Sequence, residues 1–223
     1  MAEYFGQMRS LKYSLNDDKS SPMWVKDIFT RTRLLQDVLG NSLVYYPYDV
    51  KDGETPEIIA HKYYGDSKRH WIVMFSNYII DPYFDFPLSQ TNFENFVANK
   101  YGSSIIAMDT LHHVDLVIKT TNLYNGSSYV KEEREWASAY YVDPSTDNLT
   151  ERTLPTLASP IITIDSITKV LADGTSCTIE QYLHAISCYD YENELNEKKR
   201  KIQLIDKIYA PTLEKEFKNL VSK

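Results

Sequence analysis

Cysteine is scarce in this chain: Cys177 and Cys188 are the only two in 223 residues. Their spacing fits no metal or redox pattern, so they read as free buried thiols rather than a disulfide. Glycine is rare too, with seven copies. No Gly-x-Ser-x-Gly elbow, phosphate-binding loop, dinucleotide fingerprint or His-Glu-x-x-His motif is present, which removes the common hydrolase, nucleotide-binding and zinc-protease classes. Nothing approaches the roughly 18 consecutive apolar residues of a membrane helix, so no membrane span is expected. The start, Met1-Ala2-Glu3-Tyr4-Phe5-Gly6-Gln7, has neither the basic opening nor the apolar block of a signal peptide, and a soluble protein made in a cytoplasm is expected. Positive charge is also short: 24 Lys and Arg against 31 Asp and Glu leave a net charge of −7. Phosphate neutralisation needs clustered cations, so no nucleic-acid partner is expected. The one basic cluster, Lys198-Lys199-Arg200-Lys201, follows Glu192, Glu194 and Glu197 and reads as a solvated helix face.

What the chain does have is an ordinary share of apolar residues, 43%, and 18 tyrosines. The first is enough for a core. The second suits either an aromatic core or a protein interface, because tyrosine couples a large apolar face to a polar tip at little entropic cost.

Local signals agree most closely over residues 46–88. Leu43–Val50 is rich in Val and Tyr and predicts a strand, with Pro47 implying an edge or bulged position. Asp52-Gly53 supplies a turn. Thr55 as N-cap, Pro56 at the first helical position and Glu57 in the first turn start a helix, which Gly65 ends in the left-handed conformation. Asp66 or Ser67 caps a second helix, whose Trp71, Met74, Phe75 and Tyr78 share one face. Two prolines keep Asp81–Pro87 irregular. Ser89 or Thr91 then opens a short helix carrying Phe93, Phe96 and Val97 up to Tyr101-Gly102.

Residues 1–20 are polar and read as an arm that orders against a partner or the body of the fold. Ser21-Pro22 resembles a helix start, with Trp24, Ile28, Leu35 and Val38 on one face, although Thr30 and Thr32 also permit a strand. From Ile105 to Val170 the texture turns to β: Val114, Leu116 and Ile118 alternate with Asp115, Val117 and Lys119, and Trp136–Val142 and Ile161–Val170 are further strands. Asn125-Gly126 is a hairpin turn signal. Thr178–Ile186 is expected to be helical. A longer helix is expected from Tyr189 to Tyr209, with Leu195, Ile202, Ile205 and Tyr209 on one face, and Pro211 then separates a final helix bearing Leu213, Phe217 and Leu220.

The five histidines form no designed ligand set. On a regular strand His113 and Asp115 would share a face and His112 would take the other, which falls short of the three or four ligands that metal sites need. Asp81 and Asp85 are the only carboxylate pair worth naming, and turn formation beside Pro82 and Phe86 accounts for both. No catalytic residue, cofactor or metal is expected.

The stretch Tyr48-x-Val50-Lys51-Asp52-Gly53-Glu54-Thr55-Pro56-x-Ile58-Ile59-Ala60, with Asn77, resembles a LysM repeat, and peptidoglycan or chitin binding is the alternative this leaves open. The usual ending of such a repeat, a Gly followed by an apolar strand and Ile-Pro, is missing; Ile79–Ser89 stands there instead. A wider set resembles the LysM-like baseplate wedge subunit family, baseplate wedge protein 53, of T-even-type contractile-tailed phages. That set is Asp27-Ile28-Phe29-x-Arg31, His61–Asp66, His70-Trp71, Asn77-x-Ile79–Tyr83, Phe86–Ser89, Lys100-Tyr101-Gly102 and Tyr191–Arg200 with Ile202. It covers residues 27–102 and 187–205, leaving the β-rich middle unmatched.

The resemblance implies a non-enzymatic structural protein of the virion tail baseplate. It would contact other wedge proteins, help join wedges around the hub, and meet neighbouring copies in a sixfold assembly. The expected fold is α+β: an arm and short helix over 1–42, a LysM-like strand-helix-helix unit over 43–102, a β-rich insert over 103–177, and a C-terminal segment with an amphipathic helix over 178–223. Candidate interface residues are Tyr83, Phe84 and Phe86 of the aromatic loop, and Ile202, Ile205 and Tyr209 of the C-terminal stripe.

Overall fold

The computed structural model describes residues 6, 8–14, 22–28, 44–124, 127–142, 147–170, 172 and 174–221. Along the chain these form β1 (Ser10–Tyr13), β2 (Met23–Lys26), β3 (Tyr45–Asp49), α1 (Pro56–Tyr64), a 3-10 turn (Ser67–Arg69), α2 (His70–Ser76), α3 (Gln90–Tyr101) and α4 (Ser104–Asp109). There follow β4 (Leu111–Tyr124), β5 (Ser127–Trp136), β6 (Tyr140–Val142), β7 (Leu149–Glu151), β8 (Ile161–Val170), β9 (Ser176–Ser187), α5 (Cys188–Lys198), β10 (Lys201–Ile205) and α6 (Ala210–Val221). Helices and open sheets are both present, so the class is α+β. Two compact units divide the chain, Met1–Thr91 with Asn196–Lys223, and Asn92–Leu195.

The first unit is built on β3, α1 and α2. Thr55 is extended, Pro56 opens α1, and Gly65 closes it at φ 75° with its N–H donating to His61 O. Asp66 then caps the 3-10 turn by accepting from Lys68 N. Glu54 ties this corner together. Its buried carboxylate accepts from Lys51 N at 3.0 Å and Tyr48 Oη at 2.9 Å, and pairs with Lys62. The strand end, the turn and the helix thereby share one anion.

The strand that completes this unit is β10, antiparallel to β3 with Ile202 opposite Tyr48 and Ile205 opposite Tyr45. Its Ile202, Leu204 and Ile205 enter a core with Val50, Ile59, Ala60, Tyr64, Trp71, Ile72 and Phe86. α6 closes the core, stacking Phe217 on Trp71 at 4.8 Å between ring centroids and pairing Glu214 with Arg69 at 2.7 Å.

Several expectations are corrected here. The single helix expected over Tyr189–Tyr209 is two elements, α5 and the strand β10. Arg200 lies between them: its side-chain Nη1 donates to Val50 O at 3.3 Å, and its backbone carbonyl accepts from Val50 N at 2.9 Å. The ladder that Lys201–Ile205 then makes with Asp49–Tyr45 is open only to extended backbone. The helix expected from Ser21-Pro22 is replaced over Met23–Lys26 by β2, which pairs with β1 in the register Ser10 to Lys26. Arg9 and the buried Asp27 fasten the open end of that pair at 2.9 Å. Leu35, Val38, Gly40 and Asn41 lie outside the described residues, as do most of the arm and the Asn125-Gly126 turn. Tyr78 does not join the buried face of α2: the helix ends at Ser76, and Tyr78 is exposed at φ 55°. Pro211 does not interrupt a helix but lies in the first turn of α6, where its missing N–H costs nothing.

In the second unit β5, β4, β9 and β8 form an antiparallel sheet in that order. Thr178–Ile186, expected as helix, is the middle of β9, held between β4 and β8. The β texture begins at Leu111 rather than Ile105, because Ser103 caps a short helix by accepting from Ile106 N at 3.1 Å. Phe93 and Val97 of α3 are buried and Phe96 is half-buried, and Phe93 meets Tyr189 of α5 edge-on. Buried Glu192 accepts from Lys100 at 2.6 Å and Tyr101 at 2.9 Å, holding α5 to α3. Cys188 is buried and Cys177 half-buried, and both are free thiols.

Candidate protein interface

The aromatic loop is a built structure. Ile79 N donates to Met74 O at 2.9 Å, reversing the chain after α2. Asp85 accepts from Ile80 N at 3.1 Å and Asp81 N at 3.0 Å, and Asp81 accepts from Tyr83 N at 2.8 Å. Those backbone amides hold the Asp85 carboxyl below its ordinary value. Lys199 donates to Phe84 O at 2.5 Å, and Asn196 both donates to and accepts from the backbone of Leu88. The two aspartates thus do the turn-forming work that their positions beside Pro82 and Phe86 suggested.

Within this frame the candidate residues separate. Tyr83 is 75% exposed and Phe84 66%, with ring centroids 6.3 Å apart, and neighbouring Ile80 is 81% exposed. Phe86 points the other way: it is buried in the core of the first unit together with Ile202 and Ile205. A side chain enclosed by its own chain presents no area to a partner, so Phe86, Ile202 and Ile205 leave the set of interface candidates. The helical spacing that grouped Ile202 and Ile205 with Tyr209 does not exist on a strand. Tyr209 itself stands in the turn before α6, 46% exposed, beside Ile208 at 73%. Ile80 and Ile208 were missed; Ile80 lies against two aspartates and two prolines, a context that excludes it from a helix face and leaves it outward.

The histidine pair differs from its regular-strand reading. A register shift in β4 between Leu111 and His113 places His112 and His113 in contact. A bulge puts two consecutive residues opposite one, which cancels the alternation. Their Nδ1 atoms are 2.7 Å apart, and His113 Nε2 is 3.0 Å from Asp115 Oδ1. Tyr191 stacks on His112 at 3.9 Å and Trp136 on His113 at 4.9 Å. Burial, followed by the neighbouring His113, holds His112 below its ordinary value. Among the described residues no group of three or more His, Cys, Asp or Glu is arranged to hold a metal ion.

Among the described residues, large rings stand exposed at Tyr83 and Phe84 of the aromatic loop, and also at Trp24, Tyr129 and Trp136. The chain belongs to the base plate wedge protein 53 family, whose model matches residues 4–151. It is thus a structural protein of the phage tail baseplate. The match extends past the unit that carries the resemblance, through β4, β5 and β7, so the β-rich middle is family sequence as far as residue 151. No curated protein matches the chain. Among the described residues no helix is long and apolar enough to cross a membrane.

Proposed function

We propose that the chain is a non-enzymatic joint of the baseplate wedge, docking on neighbouring wedge proteins through the loop that presents Ile80, Tyr83 and Phe84. The observation that carries this reading is the loop's construction. Its backbone is braced by Asp81, Asp85 and Lys199, so two large rings are held in water with little entropy left to lose on contact. Exposed aromatic anchors on a rigid frame are the usual hot spots of protein interfaces. Tyr209 and Ile208 form a second, smaller apolar contact point. Joining wedges around the hub, in a sixfold set of copies, fits such a role.

We further infer that β3, α1, α2 and β10 make a LysM-like unit whose closing strand is supplied after a long insertion. In a sugar-binding version the polar groups at the turn before α1 would serve a saccharide. Here the Glu54 carboxylate is taken up by Tyr48, Lys51 and Lys62, which supports a reassigned surface.

The test is the double substitution Tyr83→Ala, Phe84→Ala, assayed for incorporation into wedges assembled from purified components. The variant should fold normally and fail to incorporate. Normal incorporation would remove the loop from the interface, and saturable binding to peptidoglycan or chitin oligomers would replace the joint with the sugar-binding alternative.

A further inference from the structure

The two edges of the four-stranded sheet are built differently. β5 carries Lys131, Glu132, Glu133, Arg134 and Glu135 in succession, with Lys131 paired to Glu133 and Arg134 to Glu132. Charge of this density is how sheets keep an edge from recruiting another strand. β8, the opposite edge, reads Ile-Ile-Thr-Ile-Asp-Ser-Ile-Thr-Lys-Val and holds only Asp165 and Lys169 as charges. All its residues except Ile162 are exposed, including Ile164, Ile167 and Val170. A ten-residue, largely β-branched edge with one exposed charge of each sign is a template for a strand that can match both.

The placement of its two charges says which strand fits. Asp165, Ile167 and Lys169 face Gln181, Ile179 and Cys177 of β9, at alternate positions, and so project from one face of the sheet. Asp165 and Lys169 are each two residues from Ile167. If a second β8 pairs antiparallel with Ile167 opposite its own copy, Asp165 falls opposite Lys169 of the partner and Lys169 opposite Asp165. In the same register Ser166 meets Thr168 on the other face, and the regular pairing ends at Asp165, since β8 is bulged at Ile164. The row Thr120, Ile179, Ile167 then runs on without interruption into the second copy's Ile167, Ile179 and Thr120. Opposite charges directly across an antiparallel pair stabilise it, and like charges oppose it.

We infer that β8 is a self-complementary docking edge, through which two copies of this chain join their four-stranded sheets into one of eight strands. The contact is isologous and closes at two copies. It uses neither the aromatic loop nor the turn before α6.

Charge reversal tests it in a form that folding defects do not imitate. Sedimentation velocity on the full chain should show a reversible dimer. Asp165→Lys places Lys opposite Lys, and Lys169→Asp places Asp opposite Asp. Each variant alone should dimerise about tenfold or more weakly, since two contacts change from attractive to repulsive. Mixed one to one, the two variants restore both opposite-charge pairs, and the heterodimer should return to wild-type strength. A wild-type chain that stays monomeric at about 100 μM, a weaker range than specific interfaces reach, overturns the inference. So does a dimer indifferent to either reversal, or one that mixing fails to restore.

Discussion

The side-chain amide of Asn77 grips the backbone of Gln203 from both sides. Asn77 Nδ2 donates to Gln203 O at 2.8 Å, and Gln203 N donates to Asn77 Oδ1 at 2.7 Å. Ser76 Oγ donates to the same carbonyl at 2.9 Å, and Asn77 Nδ2 also reaches Val73 O at 2.8 Å. The end of α2 therefore substitutes for a neighbouring strand along the free side of β10. Asn77→Ala removes these bonds and leaves the Gln203 backbone short of partners. A loss of about 2 kcal/mol is expected in urea denaturation. Gln203→Ala keeps the backbone groups and should stay within about 0.5 kcal/mol of wild type. Equal effects from both substitutions would show that the clamp contributes nothing.

Glu54 sets an acid limit. Burial pushes its carboxyl up, but hydrogen bonds from Lys62, Lys51 N and Tyr48 outweigh burial and hold it below its ordinary value near 4.5. A depressed carboxyl contributes stability above the unfolded value, and that contribution is lost as pH falls through the folded one. Stability should therefore drop from about pH 4.5 downward, and Glu54→Gln should flatten that part of the profile. Tyr48, pushed up to about 12 by burial and Glu54, gives the opposite limit: its contribution is complete below 10 and lost as pH rises toward 12. Urea melts across both ranges measure the two limits.

His112 adds a separate step at milder pH. Its depressed value means that the unfolded chain takes up a proton before the folded one does, so stability declines as pH falls below 6.5. The groups facing it are His113, Tyr191, Glu192 and Lys100. Replacing His112 with Phe keeps the ring against Tyr191 and should abolish the decline between pH 6.5 and 5. An unchanged slope in the variant would assign it elsewhere.

Phe217 should matter far more than the ion pair beside it. Buried against Trp71 and Phe75, its truncation to Ala is expected to cost about 3–5 kcal/mol. Glu214→Ala, which removes the half-exposed contact with Arg69, should cost under about 1 kcal/mol. Urea denaturation followed by circular dichroism measures both.

Ile205 and Tyr209, grouped by sequence spacing, should now part company. Ile205→Ala opens a cavity in the core and should cost about 2–5 kcal/mol. Tyr209→Ala, at an exposed ring, should leave the melting curve within about 0.5 kcal/mol.

The sequence by itself determined the elements whose signals lie within a few residues of one another. Pro56, Glu57 and Gly65 bound α1, and Gly65 adopts the left-handed backbone that its position in the pattern required. Alternation marked β4, and two prolines with two aspartates marked the aromatic loop as irregular, but not which of its rings face outward. Residues 27–102 with 187–205 also suggested the family. Only the tertiary structure decided β9 and β10. Thr178–Ile186 and Lys201–Ile205 are short, mixed segments in which helix and strand preferences differ by a few tenths of a kcal/mol per residue. Backbone partners distant in the chain override so small a difference: β4 and β8 for β9, and Tyr45–Asp49 with Asn77 for β10. The same long-range closure turned Ile202 and Ile205 inward, so that with Phe86 also buried only Tyr83, Phe84 and Tyr209 of the candidate residues stay exposed.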